Sequence, residues 1–333
     1  MMPVESEIIS RIKRRARAHD QVRVGIGDDA AVINTGGATD LIACSDLMVE
    51  GVHFRSEWGE PRLIGHKALA VTLSDVAAMG GAARFAMISI ALPRRLSPGL
   101  IEEIFQGLFD LADACEVAVI GGDTSGSRDS LFIDTSVIGE CAAGRAVTRR
   151  GARAGDILYI TGSLGASMLG LQLLEQGVRL KDCGNNLACL RALTKHLAPE
   201  PRLKEGRAIG EMNIATAMID ISDGLSTDLW HILDESGCGA IIHAGAIPID
   251  ESVRSMAASA TKIDPLRLAL NGGEEYELLF TSRPDDRSRV EGIASSLGVS
   301  ITEIGEIVAG TGLHLERDGV LEPAPPSGYE HVI

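Results

Sequence analysis

Aspartate stands beside glycine or another small residue in five short stretches of this chain: Gly25-Ile26-Gly27-Asp28-Asp29, Cys44-Ser45-Asp46, Leu73-Ser74-Asp75, Gly121-Gly122-Asp123 and Asp220-Ile221-Ser222-Asp223. Most of them adjoin apolar runs, so folding carries their carboxylates to the ends of buried elements. A carboxylate there needs a partner, because taking an ion out of water costs several kcal/mol even after relaxation. Two like charges about 4 Å apart repel by roughly 4 kcal/mol at an effective dielectric of about 20. If several of these aspartates converge, cations must fill the site. Oxygen-only ligands favour hard cations such as magnesium, which retains waters and shares its shell with phosphates. One aspartate beside glycine or serine is ordinarily a turn or cap residue; five together point to a magnesium–nucleotide site.

The elements that must position them are readable from periodicity. Asp75 falls in a helix predicted over 61–79, where its neighbours at helical spacing are Ala68, Val71, Thr72, Ala78 and Met79. That face is expected to be buried, so a charge on it calls for a partner. Strand patterns at 21–26, 30–34, 40–49, 84–92, 117–120 and 131–140, with helices at 61–79 and 97–115, suit a mixed sheet covered by helices on one face. The pattern restarts after Ala143, giving domains at 1–143 and 144–333. The second reads as an α/β layer structure, with strands at 156–161, 215–221, 240–243, 277–281 and 302–308. Its helices are expected after Gly165 and at 203–212, 225–236, 251–260 and 285–297. An amphipathic helix over 6–17 opens the first domain, and the proline-rich stretch 322–329 is extended.

Composition narrows the function classes. The 333 residues are 45% hydrophobic and 23% charged, ordinary for a soluble protein with a large core. Aromatics at 3% and a net charge of −15 argue against nucleic acid as a partner. The same charge repels a free nucleotide, so metal must mediate phosphate binding. No run approaches the ~20 apolar residues of a membrane span, and no signal-peptide core is present. Cys44, Cys115, Cys141, Cys183, Cys189 and Cys238 form no CxxC or zinc spacing, which fits a reduced cytoplasmic compartment.

No GxxxxGK[ST] loop, complete dinucleotide fingerprint or protein-kinase signature occurs. ATP, if used, is held by metal ions in place of a lysine cradle. The ordered motifs GIGDDAAV (25–32), ACSDLMVEGVHF (43–54), GHKALAVTLSDVAAMGG (65–81), IGGDTSG (120–126), GRAVTRRGARAGD (144–156), IDISDGLSTDL (219–229) and NGGEEYELLF (271–280) together resemble the thiamine-monophosphate kinase family. That family belongs to an ATP-binding superfamily with aminoimidazole ribonucleotide synthetase, selenophosphate synthetase and a hydrogenase maturation factor. The resemblance implies a two-domain fold, with amino-terminal sheets that pair into a barrel in a homodimer. It implies phosphorylation of thiamine monophosphate to thiamine diphosphate by ATP with several magnesium ions.

By motif, the resemblance implies magnesium ligands at Asp29, Ser45, Asp46, Asp75, Asp123 and Asp220, with Asp223 holding a further ion. Asp29 is the assigned member of its pair, and the role of Asp28 stays open. Asp46, Asp75, Asp123 and Asp220 form the implied catalytic set. Gly122, Asp123, Arg149 and Ser222 meet ATP, and His53, Glu274 and Tyr329 meet the thiamine phosphate. Cys44 stands where the family often has serine or threonine, so a ligand there must be its backbone carbonyl. Glu275 is one methylene longer than the usual aspartate, leaving its role open and Glu274 in register. Read singly, His53 is a satisfied histidine, Glu274 a helix cap and Tyr329 an anchor for the tail; the surrounding motifs argue otherwise. A related synthetase acting on an aminoimidazole precursor is the alternative enzyme, against which VEGVHF and GGEEYEL speak. A non-catalytic magnesium–nucleotide sensor would need a damaged ligand set, and the principal aspartates are all present.

Overall fold

Proline and serine start the two helices that support the first domain. Pro61 occupies the first turn of one, and before Pro98 the Ser97 hydroxyl accepts the Leu100 N–H. The structure, a computed structural model, describes residues 5–259 and 263–329. It runs α1 (Glu5–Arg15), β1 (Val22–Val24), β2 (Ala31–Asn34), β3 (Thr39–Val49), α2 (Pro61–Ala78), β4 (Ala82–Pro93), α3 (Pro98–Ala114), β5 (Ala118–Ser127) and β6 (Phe132–Ala142). The strands form one sheet in the order β1-β2-β3-β6-β4-β5, antiparallel except for β4 with β5. Helices α2 and α3 cover one face, and they cross closely. A Cβ on Gly65 would lie 1.8 Å from the Ile104 carbonyl oxygen, and one on Gly107 would lie 1.9 Å from that of Arg62. The opposite face exposes Leu47, Phe85, Met87 and Ile120.

The second half contributes β7 (Ile157–Thr161), α4 (Ala166–Glu175), α5 (Leu187–Leu197), α6 (Leu203–Glu211), β8 (Ala215–Asp220), α7 (Leu225–Ser236), β9 (Gly239–His243), α8 (Glu251–Ser259), α9 (Pro265–Asn271), β10 (Leu278–Ser282), α10 (Arg287–Leu297), β11 (Ile301–Val308), β12 (Gly312–Arg317) and β13 (Val320–Pro323). Its sheet order is β13-β12-β9-β11-β7-β10-β8. Alternate residues split between two cores. Leu158, Ile160, Ile219 and Leu279 pack with Leu229 and Ile232 of α7. Tyr159, Met218 and Phe280 pack on the other face with Ile209 of α6, Val290 and Ile293 of α10, and Ala77 and Ala78 at the end of α2. Helix α2 thus lies between the two sheets and is buried on nearly all sides, more than the single buried face its sequence implied.

Three differences from the sequence reading stand out. The strand expected over 117–120 continues to Ser127 through the glycines, because β5 is an edge strand supported by β4. Helices α5 and α9 and the β12–β13 hairpin were not anticipated; α9 and the hairpin are short and depend on tertiary packing. Cys183 and Cys189 form a disulfide with Cα atoms 5.6 Å apart, a pairing that the reduced-cysteine reading did not foresee. Ala260, the expected end of the helix starting at Glu251, lies outside the described residues.

Candidate active site

Four chain segments meet along α2. The turn between β1 and β2 supplies Asp28 and Asp29, β3 supplies Asp46, α2 itself supplies Asp75, and Asp220 is the last residue of β8. Single carboxylate oxygens of Asp29, Asp75 and Asp220 all lie within 4.8 Å of one another. Asp46 turns to the helix-covered side of β3 and hydrogen-bonds with Thr72 and Asp75. Ser74 donates to Asp220 at 2.6 Å. Burial, then the Asp46 and Asp220 charges, pushes the Asp75 carboxyl far above its usual range. Burial likewise raises Asp220 to about 7 and Asp28 to about 6, with the Asp29 charge adding to both.

One arginine offsets part of this charge. Arg149, from the segment joining the domains, donates through Nε at 3.0 Å and through Nη2 to Oδ1 of Asp29. Its backbone N–H points at Asp28. The remaining oxygens Asp29 Oδ2 and Asp46 Oδ2 are buried with no hydrogen-bond partner among the described residues. Orphaned carboxylate oxygens beside a carboxylate trio are the donor set of a hard divalent cation, so the residues present fit magnesium. The Cys44 thiol is spent on the Thr72 carbonyl at 3.4 Å, and burial, then Asp75, keeps it protonated. Only the Cys44 backbone remains to act as a ligand.

The second domain adds loops stitched to one another. After Asp220, the Ser222 carbonyl accepts the Glu274 N–H at 2.7 Å, and the Ile221 carbonyl accepts those of Glu275 and Tyr276. Glu274 and Tyr276 carry φ of 59° and 51°, strain of about 1–3 kcal/mol each that the surrounding bonds must hold. The carboxyl-terminal tail docks on the same turn, Tyr329 N–H to the Asp223 carbonyl and Gly328 N–H to Thr227 Oγ1. Ser222, Asp223, Glu274 and Tyr329 are thereby gathered. Asp223 also groups with Asp228 and His231 within 4.8 Å, and Asp228 accepts the Asp223 and Gly224 N–H groups. His53 joins from the first domain, its carbonyl bound by Lys67, whose ammonium lies 2.9 Å from Glu274.

Two expected residues stand apart from the buried trio. Asp123 pairs across β5–β4 with Ser89, Ser89 with Asp134, and Asp134 with exposed Leu47, so these share the open face of the sheet. Ser45 lies on that face too, donating to Asp134 at 2.9 Å. Gly122 is where the edge strand closes on its neighbour: φ is +151°, and a Cβ would lie 1.8 Å from the Ile88 carbonyl oxygen. The structure therefore splits the implied ligands between a buried group and the uncovered face. Sequence reasoning missed Lys67, Ser74, His196 and Asp228. Lys67, the one cation inside the apolar stretch of α2, was the readable signal.

Glu275 has a structural task. Fully buried, it accepts the N–H groups of Gly165 and Ser167 at 2.7 and 3.1 Å and caps the start of α4 from a distant loop. Burial pushes its carboxyl from 4.5 up to about 8. The folded protein thus keeps a proton that the unfolded chain has released, so stability falls as pH rises from 4.5 towards 8, by up to about 1.4 kcal/mol per pH unit. Glu275→Gln cannot ionise and should lose that slope. Urea unfolding at pH 5 and pH 8 checks this: relative to wild type the variant gains stability at the higher pH, and an unchanged difference would contradict the assignment.

Comparison with known proteins agrees with the motifs. The family model for the AIR synthase related protein N-terminal domain matches residues 27–141, and that for the C-terminal domain matches 153–318. Thiamine-monophosphate kinase from Salmonella typhimurium is 37% identical over 329 residues, 98% of each chain. That from Bacillus subtilis is 34% identical, covering 98% of this chain and 99% of its own. The structure of AaThiL complexed with AMPPCP and TMP superposes with a TM-score of 0.86 at 31% identity, covering 99% of this chain and 97% of the other. The chain belongs to the thiamine-monophosphate kinase family of AIR synthase related proteins.

Proposed function

We propose that the protein transfers the terminal phosphoryl group of ATP to thiamine monophosphate, giving thiamine diphosphate and ADP. The convergence of Asp29, Asp75 and Asp220 from both domains, in a chain of this family, carries the reading. The AaThiL complex with AMPPCP and TMP supports it for the nucleotide and the acceptor. The acceptor's attacking atom is already an anionic phosphate oxygen, so no side chain needs to remove a proton. What the residues must supply is in-line placement and cancellation of repulsion between phosphates. Magnesium, when bound, supplies charge neutralisation and alignment. Asp29, Asp46, Asp75 and Asp220, with the Cys44 carbonyl, would hold it in the buried group, Ser45 and Asp123 on the uncovered face, and Asp223 at a separate position. Arg149, Gly122 and Ser222 face the nucleotide; His53, Glu274 and Tyr329 face the acceptor.

A second copy of the chain completes this reading. The open face of the first sheet carries Leu47, Phe85, Met87 and Ile120 beside Ser45 and Asp123, so pairing of two such sheets buries apolar surface and encloses the polar row. Among the described residues no helix is long and apolar enough to cross a membrane. Purified protein incubated with magnesium, ATP and thiamine monophosphate should form thiamine diphosphate and ADP, with no labelled protein when γ-labelled ATP is used. Failure to form product, with turnover of an aminoimidazole precursor instead, would overturn the reading.

A further inference from the structure

Lys67 is 2% exposed in the middle of α2, an unusual place for an ammonium group. Its Nζ lies 2.9 Å from Oε1 of Glu274 and donates to the His53 carbonyl at 3.1 Å. Glu274 belongs to the second domain and His53 to the first, so one cation ties the two across the domain boundary. The other carboxylate oxygen of Glu274 lies 3.2 Å from Nδ1 of His196 on α5, which also contacts Ser167 at 3.1 Å. Glu274 is therefore gripped from two sides. Burial, then the Lys67 charge, lowers His196 to about 3, so its ring is neutral and grips without competing charge. Burial opposes ionisation of Glu274, yet Lys67 and His196 hold its carboxyl below the usual value.

We propose that Lys67 is a positioning residue for acceptor binding: shared between the Glu274 carboxylate and the His53 carbonyl, its ammonium locks the two acceptor-facing residues in one geometry. The inference rests on the reading that His53 and Glu274 meet thiamine monophosphate. Among the described residues the polar contacts of Lys67 are on the acceptor side, and the nucleotide-facing Arg149 is anchored separately on Asp28 and Asp29. Lys67 should therefore set acceptor affinity and leave ATP affinity alone.

Steady-state kinetics with each substrate varied in turn, and calorimetric titration of thiamine monophosphate without ATP, test this in wild type, K67M, E274Q and the double variant. K67M should raise both KM and Kd for thiamine monophosphate by about tenfold while KM for ATP moves less than about twofold, the loss expected of one charge-assisted contact. In the E274Q background the same change should cost less than about twofold, because the lysine acts through the carboxylate it no longer holds. Parallel increases in both KM values, or equal effects of K67M in both backgrounds, would overturn the positioning role. An E274Q enzyme with unchanged acceptor affinity would instead overturn the acceptor-site reading beneath it. If K67M does not fold, K67Q keeps a hydrogen-bond donor without the charge, and the double variant leaves no unpaired buried charge.

Discussion

Asp75→Asn should raise the unfolding temperature of the metal-free protein while lowering phosphoryl transfer by about a thousandfold or more. Both directions follow from one arrangement. Asp75 shares a space less than 5 Å across with carboxylates of Asp29 and Asp220, and Asp46 bonds to it from β3. Without metal that grouping costs stability, since burial, then Asp46 and Asp220, drives the Asp75 carboxyl well above its ordinary value. An amide of the same shape removes the cost of burying that carboxyl, a relief of roughly 1–2 kcal/mol that appears as about 1–3 °C in a chain of this length. With metal the balance reverses, because an amide is a poorer ligand for a hard cation and the transferred charge loses its main stabilisation. Thermal unfolding in EDTA and initial rates in magnesium check the two halves. A variant that melts lower and still transfers phosphate would refute the metal assignment.

The aspartates were legible because their neighbours are small and apolar, a pattern that survives in the chain without knowledge of its fold. Which of them converge was not legible. Asp46 and Ser45 are adjacent, yet the period of a strand sends one toward α2 and the other to the uncovered face. Asp123 goes with Ser45 only because of the β5–β4–β6–β3 register, a long-range property. The helix carrying Asp75 was readable by periodicity, but its burial on nearly all sides depends on the second sheet packing at Ala77 and Ala78. Partners such as Lys67, Asp228 and His196 stand in helices away from the paired aspartates, and a search for paired carboxylates passes over them. Glu275 shows the converse. It sits in a recognised motif, but its capping of α4 joins residues about 110 positions apart, which no local pattern encodes.

Arg149→Met should weaken ATP binding by about tenfold to a hundredfold and destabilise the metal-free protein by about 3–5 kcal/mol, the usual cost of stripping one partner from a buried ion pair. The second effect should largely vanish when magnesium is added. On the proposed reading Arg149 and a cation would serve the same carboxylate from different sides: the guanidinium holds Asp29 Oδ1, while Oδ2 is buried with no partner among the described residues. With the arginine gone, metal is the remaining source of positive charge for Asp29, so its binding stabilises the variant more than wild type. Denaturant unfolding with EDTA and with magnesium gives that difference directly, and calorimetry with ATP gives the affinity. Arg149→Lys separates charge from shape, since an ammonium keeps the charge but cannot make the two contacts of the planar fork. It should restore most of the metal-free stability and only part of the ATP affinity. Equal losses of stability with and without magnesium would mean that Arg149 and the metal do not meet at Asp29.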